Sequence, residues 1–127
     1  MAIPSGTGTE VLKRTTIHAQ SSTATAFRWD GTMASTGTST YTVPTNHIIT
    51  VLNISFNEQG NTAEIFDMMV NDGTNTIYLL QYQSLPAYGT FVWNDKIVLT
   101  GGDKLMIKTD SAANVDAYLS YIDQDFT

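Results

Sequence analysis

The chain has no cysteine, only three prolines, few charged residues and no long apolar run. Without cysteine there can be no disulfide, no thiolate metal site and no thiol nucleophile. That usage fits assembly in a reducing cytoplasm. The opening MAIPSGTGTE has no apolar stretch of the kind a signal peptide carries, so no secretion signal is expected there. No segment approaches the roughly 18 apolar residues of a membrane-spanning helix, and no membrane partner is expected. Charged residues make up 14%, well below the usual share of about a quarter. The polar surface must therefore be built from uncharged groups.

Those charges are unevenly placed. The net charge is −6, with an estimated pI of 4.5. Residues 1–47 carry a net of +1, while residues 48–127 carry −7. An acidic body is repelled by phosphate backbones, so nucleic acid is not expected as a partner.

What the chain has in abundance is threonine. Twenty Thr, nine Ser and nine Gly stand among 127 residues. Threonine is β-branched and favours extended backbone. The length allows one domain and one core. The composition thus argues an all-β fold with a neutral polar surface.

Two textures divide the chain. Residues 1–40 hold few large apolar groups, chiefly Ile3, Val11, Leu12, Ile17, Phe27, Trp29 and Met33. This segment reads as an extended N-terminal arm with short strands near Arg14–His18 and Thr25–Trp29. The stretch GTMASTGTST at 31–40 reads as a linker. Residues 41–127 read as a β-sandwich or jelly-roll body. Strands are expected at Tyr41–Val43, Ile48–Asn57, Ala63–Val70, Ile77–Gln83, Thr90–Leu99, Lys104–Lys108 and Val115–Ile122. Asn71-Asp72-Gly73 and Gly101-Gly102-Asp103 supply turns between them. In Ile48–Asn57, Ile48, Leu52, Ile54 and Phe56 would share one face with Thr50. No segment repeats apolar residues at helical spacing, and no internal repeat is visible. Strands at roughly ten-residue spacing argue a sandwich.

A search for chemistry returns ordinary readings. His18 and His47 are the only histidines, and neither sits in a metal-binding spacing, so both read as surface or packing residues. No Gly-x-Ser-x-Gly elbow is present. The serines of the first 40 residues lie in a segment too loose to hold a nucleophile. Asp67, Asp72, Asp95, Asp103 and Asp116 lie at turns or on polar strand faces, where carboxylates are usually solvated. Asn71-Asp72-Gly73 and Gly102-Asp103 are single acidic turns rather than calcium loops. Gly6-Thr7-Gly8 lacks the third glycine of a dinucleotide loop. No catalytic residue, metal site or cofactor is expected.

The aromatic residues offer a better lead. Tyr78, Tyr82, Tyr88, Phe91 and Trp93 fall within sixteen residues. Aromatics anchor protein interfaces and stack on sugars, although many are simply core. Ile77–Tyr82 is apolar on both faces, which an isolated two-layer sandwich does not require. A subunit interface at Tyr78, Leu80 and Tyr82 is therefore expected, and with it a homo-oligomer.

The opening AIPSGTGTEVLKR, the segments YTVPTNHIITVLNISF and LPAYGTFVWNDKIVLTGGDKLMI, and the ending VDAYLSYIDQDFT resemble small virion structural proteins of tailed bacteriophages, of the cyanophage and marine-phage type. The resemblance runs over nearly the whole chain but contains no active-site motif. It implies a non-enzymatic capsid decoration (cement) protein, or alternatively a minor tail or fibre-associated protein that binds host glycans. It further implies a location in the virion after assembly in the host cytoplasm. The partners would be the major capsid protein or other virion proteins, with a trimer favoured. In this reading residues 1–40 order on docking, and Lys13, Arg14, Phe27 and Trp29 make the virion contact; the rival expectation is that Thr25–Trp29 already pairs within its own sandwich or with a sister subunit.

Overall fold

Period-two alternation, cut by Gly, Pro and Asn-Asp-Gly turns, gives nine strands in the computed structural model, which describes residues 8–111 and 114–127. They are β1 (Thr9–Gln20), β2 (Thr25–Ala26), β3 (His47–Glu58), β4 (Glu64–Asn71), β5 (Thr76–Leu85), β6 (Thr90–Trp93), β7 (Ile97–Thr100), β8 (Lys104–Thr109) and β9 (Val115–Asp125). No helix is present among the described residues.

Every strand pairing is antiparallel. One sheet runs β1-β9-β3, with β6 and β7 end to end along the far side of β3. The other runs β2-β8-β4-β5. Taking β6 and β7 as one interrupted strand leaves two facing sheets of four. That is the connectivity of an eight-stranded jelly roll. The single strand expected over Thr90–Leu99 is broken because Trp93 folds back, its indole N–H donating to the Asp95 carbonyl at 2.8 Å. Tyr41–Val43 is not a strand. Val43 instead exchanges backbone hydrogen bonds with the turn after β7, donating to Asp103 O and accepting from Gly102 N–H, both at 2.9 Å.

The face expected for the third strand is also corrected. Ile49 and Val51 point into the core, and so do Ile54 and Phe56. The β3–β9 register shifts between Val51 and Asn53, which places a bulge at Leu52. A bulge adds one residue and flips every side chain beyond it to the opposite face. The apparent change of face in the sequence is therefore one continuous inward row. On β9, Val115, Ala117, Leu119 and Tyr121 share the core face as expected.

Residues 8–40 do not form an arm. β1 pairs with β9 along most of its length, from Thr9↔Asp125 to Ile17↔Ala117. Phe27 is 0% and Trp29 4% exposed. Trp29 meets the Tyr121 ring edge-on at 5.0 Å, while Phe56 and Phe66 pack at 4.6 Å. The Tyr121 hydroxyl accepts the Gly31 N–H at 3.1 Å. Sparse apolar residues suffice here because a sandwich strand buries only alternate positions, and Thr15, Thr25 and Gln20 fill inward places too. The expected boundary at residue 40 thus falls inside one folded unit, and residues 1–7 of the expected arm lie outside the described residues.

Two outcomes follow from this core. Phe27→Ala should cost about 3–5 kcal/mol in denaturant unfolding, as for other buried aromatics, and deleting residues 1–24 should leave a chain that does not fold cooperatively. A freely dispensable arm would tolerate both. Burial pushes the Tyr121 phenol up to about 12, from an ordinary 10; Asp123 and Asp30 add to the rise, and the Gly31 hydrogen bond opposes it. The folded state therefore holds this proton more tightly than the unfolded state does. Stability should be full below pH 10 and fall as pH climbs toward 12. Thermal unfolding across that range should show a shallower fall for Tyr121→Phe.

Candidate functional site

Sheet edges expose unpaired N–H and C=O groups, so what covers them decides where a sandwich can be joined. On one side of this molecule the segment following β2 covers part of both edges. Ala34 N–H donates to Thr16 O at 2.9 Å, and the Thr36 hydroxyl donates to His18 O at 2.5 Å, both along β1. Ala26 N–H donates to Thr38 O at 2.9 Å, and Gly37 N–H donates to the Thr25 hydroxyl at 2.8 Å, both at β2. The expected linker at 31–40 is thus an edge cover.

The opposite side ends in β5 of one sheet and β6–β7 of the other. Among the described residues no further strand pairs with these edges. These three strands contain no Asp, Glu, Lys or Arg, whereas every other strand longer than two residues carries at least one. They and the turn after β5 also display exposed apolar groups: Ile77, Tyr78, Tyr82, Tyr88, Val92 and Val98. Two of these sit on unusual backbone. Tyr82 has φ 52° and Tyr88 φ 55°, and each is 69% exposed. A bulky side chain in the left-handed region is rare and costs roughly 1–2 kcal/mol. At Tyr82 the cause is a slip in the β4–β5 register, which leaves Gln81 and Tyr82 opposite Asp67. Asp67 Oδ1 accepts the Tyr82 N–H at 2.7 Å.

The residues expected at sites thus separate. Tyr78 and Tyr82 face solvent on the uncovered side, while Leu80 is half-buried against the core. Phe27 and Trp29 are core, so they cannot serve as anchors for a partner. Lys13 Nζ pairs with the buried Asp123 at 2.9 Å. Arg14 remains at the surface, in an open groove of about 1050 Å³ lined also by Leu12, Leu52, Lys96 and Tyr118. That lining includes three cations and no carboxylate. Sequence reasoning missed Ile77, Val92 and Val98, although the absence of charge between Ile97 and Thr100 and between Thr90 and Trp93 was a readable signal.

The histidines are structural. His47 Nδ1 lies 2.7 Å from Asp123 Oδ1, and its Nε2 lies 3.4 Å from Asp125 Oδ1. With a carboxylate at each ring nitrogen, neither nitrogen is free to serve a nucleophile. Lys13, Asp123 and His47 instead tie β1, β9 and β3 together across the sheet. Hydrogen bonds from Thr127 hold the Asp125 carboxyl below the usual carboxylate range, with His47 and Lys13 adding to the effect. His18 pairs with Asp116 at 2.9 Å on the exposed end of the same sheet.

No family model matches the chain, and no curated protein does. Several solved structures are similar to it in fold. A subunit of Bacillus endospore appendages, described as disulfide-linked pili, aligns with a TM-score of 0.49 at 14% identity, covering 100% of this chain and 97% of that one. A chain from the acidic stable capsid structure of Helicobacter pylori bacteriophage KHP30 aligns with a TM-score of 0.48 at 12% identity, covering 91% and 86%. The globular domain of zebrafish complement 1qA aligns with a TM-score of 0.46 at 14% identity, covering 91% and 95%.

Removing the central carboxylate tests the cross-strand tie. Asp123→Ala leaves Lys13 without its carboxylate and His47 with Asp125 alone, in a mostly buried place. The loss should fall near the lower end of the roughly 3–5 kcal/mol seen for broken buried pairs, since Lys13 is partly solvated. Urea unfolding of the variant reads it directly.

Proposed function

We propose that this chain is a non-enzymatic structural subunit of a tailed-phage particle, a capsid decoration protein that self-associates and bridges subunits of the major capsid protein. The single observation that carries the reading is the uncovered side of the jelly roll. Three consecutive strands, β5 to β7, bear no charge, and with the turn after β5 they present Tyr78, Tyr82 and Tyr88 to solvent. Charge depletion with exposed aromatics is the composition of an interface centre. A ten-residue edge strand without charge or proline is also a template for pairing. We assign this side to contacts between copies, with a trimer favoured by the phage resemblance. A subunit that binds only the assembled shell stabilises it by mass action against the pressure of packaged DNA.

The test separates folding from assembly. Tyr82→Gly suits the left-handed backbone, so it should leave the fold at least as stable while removing the ring. Tyr78→Lys combined with Val92→Lys places charge on both uncovered edges. Sedimentation should show an oligomer for the parent chain and a monomer for the doubly charged variant, with Tyr82→Gly weakened in between. Parent protein added to undecorated particles should reach a copy number set by the capsomers. Occupancy confined to the tail would favour the tail-associated role instead. A parent chain that is monomeric and leaves particles bare would refute the proposal.

A further inference from the structure

We infer that the end of the sandwich where the β3–β4 loop meets the β8–β9 loop holds a calcium ion, bound by Glu58 and Glu64. Both carboxylates are buried, with Glu58 only 3% exposed. Both line one polar cavity of about 190 Å³, together with Gly60, Asn61, Thr62, Ser111 and Asn114. Their oxygens are unequally served. Glu64 Oε1 accepts the Ile65 N–H at 3.0 Å, and its Oε2 accepts the Ser111 hydroxyl at 2.8 Å. Glu58 Oε1 accepts the Gly60 N–H at 2.9 Å. Glu58 Oε2 is fully buried and has no hydrogen-bond partner among the described residues.

A buried carboxylate oxygen without a donor is costly, and a cation is the natural remedy. The chemistry of the lining selects which cation. Every charged donor is a carboxylate, and the neutral ones are hydroxyl and amide oxygens. No group of three or more His, Cys, Asp or Glu that could hold a metal gathers among the described residues, so hydroxyl, amide and water oxygens would have to complete any shell around the two glutamates. A hard ion with a loose, oxygen-rich shell fits two carboxylates on two loops. Calcium meets that description better than magnesium, which demands a tight octahedron. Glycine at position 60 keeps the cradle open, because a Cβ there would meet Glu58 Oε1 at 3.2 Å. The loops are already joined by Gln59 N–H donating to Asn114 O at 3.0 Å, and Tyr88 N–H adds the turn after β5 through Gly60 O at 3.0 Å. An ion between the two glutamates would clamp these same loops. Sequence spacing hides the site, since its lining comes from positions 58–64 together with Ser111 and Asn114 and forms no contiguous loop motif.

With only two carboxylates, affinity should fall in the weak range, with a dissociation constant of about 10⁻⁴–10⁻³ M. The experiment titrates calcium chloride into chelator-stripped full-length chain, followed by calorimetry and thermal unfolding. The parent chain should bind one calcium, and its Tm should rise by roughly 5–10 °C at ~10 mM calcium, with magnesium giving much less. Glu58→Gln should weaken binding at least tenfold. Asn61→Ala, at an exposed position that the fold does not need, should weaken it several-fold and decides the matter if Glu58→Gln fails to fold. No heat and no Tm shift for the parent chain would overturn the inference, leaving Glu58 Oε2 to a buried water. Unchanged affinity in Glu58→Gln, or in Asn61→Ala where that variant decides, would place the ion elsewhere and overturn it equally.

Discussion

The structure depends on how the chain satisfies the backbone at the rims of its two sheets. A jelly roll has four edge positions, two on each side, and every unpaired amide there is an invitation to another strand. Here one side is closed from within. A run of small polar residues leaves β2, crosses the gap between the sheets, and bonds β1 through Ala34 and Thr36 and β2 through Gly37 and Thr38. The same run positions Gly31 on the Tyr121 hydroxyl and brings Trp29 against the Tyr121 ring. Edge cover and core closure are thus one device. Its consequence is polarity: the edges at β1 and β2 are bonded in part by the chain's own segment, whereas among the described residues nothing further pairs with β5 or with β6 and β7.

The other side is shaped by irregularity as much as by pattern. A regular β5 would alternate its side chains cleanly and hide half of them. The register slips opposite Phe66, Asp67 and Met68 instead let Met68 and Met69 both be buried on β4 while Tyr82 turns outward. Asp67 takes up the amide that the slip would have stranded. Strain held in place by a specific carboxylate, on a residue that contributes little to the core, points to selection for what the ring does outside the fold. The bulge at Leu52 is a different case. It bends β3 so that one strand serves β9 along its length and both β6 and β7 on its far side. Leu52 and Asn53 both turn outward there, and both line the groove beside Arg14.

Much of this was legible in the sequence, and the failures have physical reasons. The all-β class followed from threonine content and the absence of helical periodicity. The strands at 48–57, 63–70, 77–83, 104–108 and 115–122 were found to within a few residues, because their alternation and turn chemistry are local. The first 40 residues were misread because burial there is non-local. Phe27 and Trp29 look isolated in sequence, yet they are completed by Leu105 and Tyr121 from the far end of the chain. A Thr-Gly-Ser run looks the same whether it links two domains or lies along an edge. Tyr78 and Tyr82 were picked out because apolar residues on both faces of one strand are a local signal. The Glu58–Glu64 cavity was not visible, since only the fold brings Ser111 and Asn114 beside it.

The scarcity of charge fits the same picture. Five of the twelve acidic side chains, Asp30, Asp72, Asp95, Asp103 and Asp110, lie where the chain turns, and several are spent on the backbone of their own turns. Asp72 accepts the N–H groups of Thr74 and Asn75, which hold its carboxyl below the usual range. Asp30 is lowered chiefly by its hydrogen bond from the Thr32 hydroxyl. The faces of β5 to β7 are left with Thr, Ser, Gln, Tyr and aliphatic groups. Desolvating such groups costs far less than desolvating ions, because hydroxyls and amides can be re-paired across an interface while an unmatched charge cannot. The net of −6 therefore resides on the ends of the sandwich and on its other strands. There it adds no ionic desolvation cost to the side formed by β5 to β7.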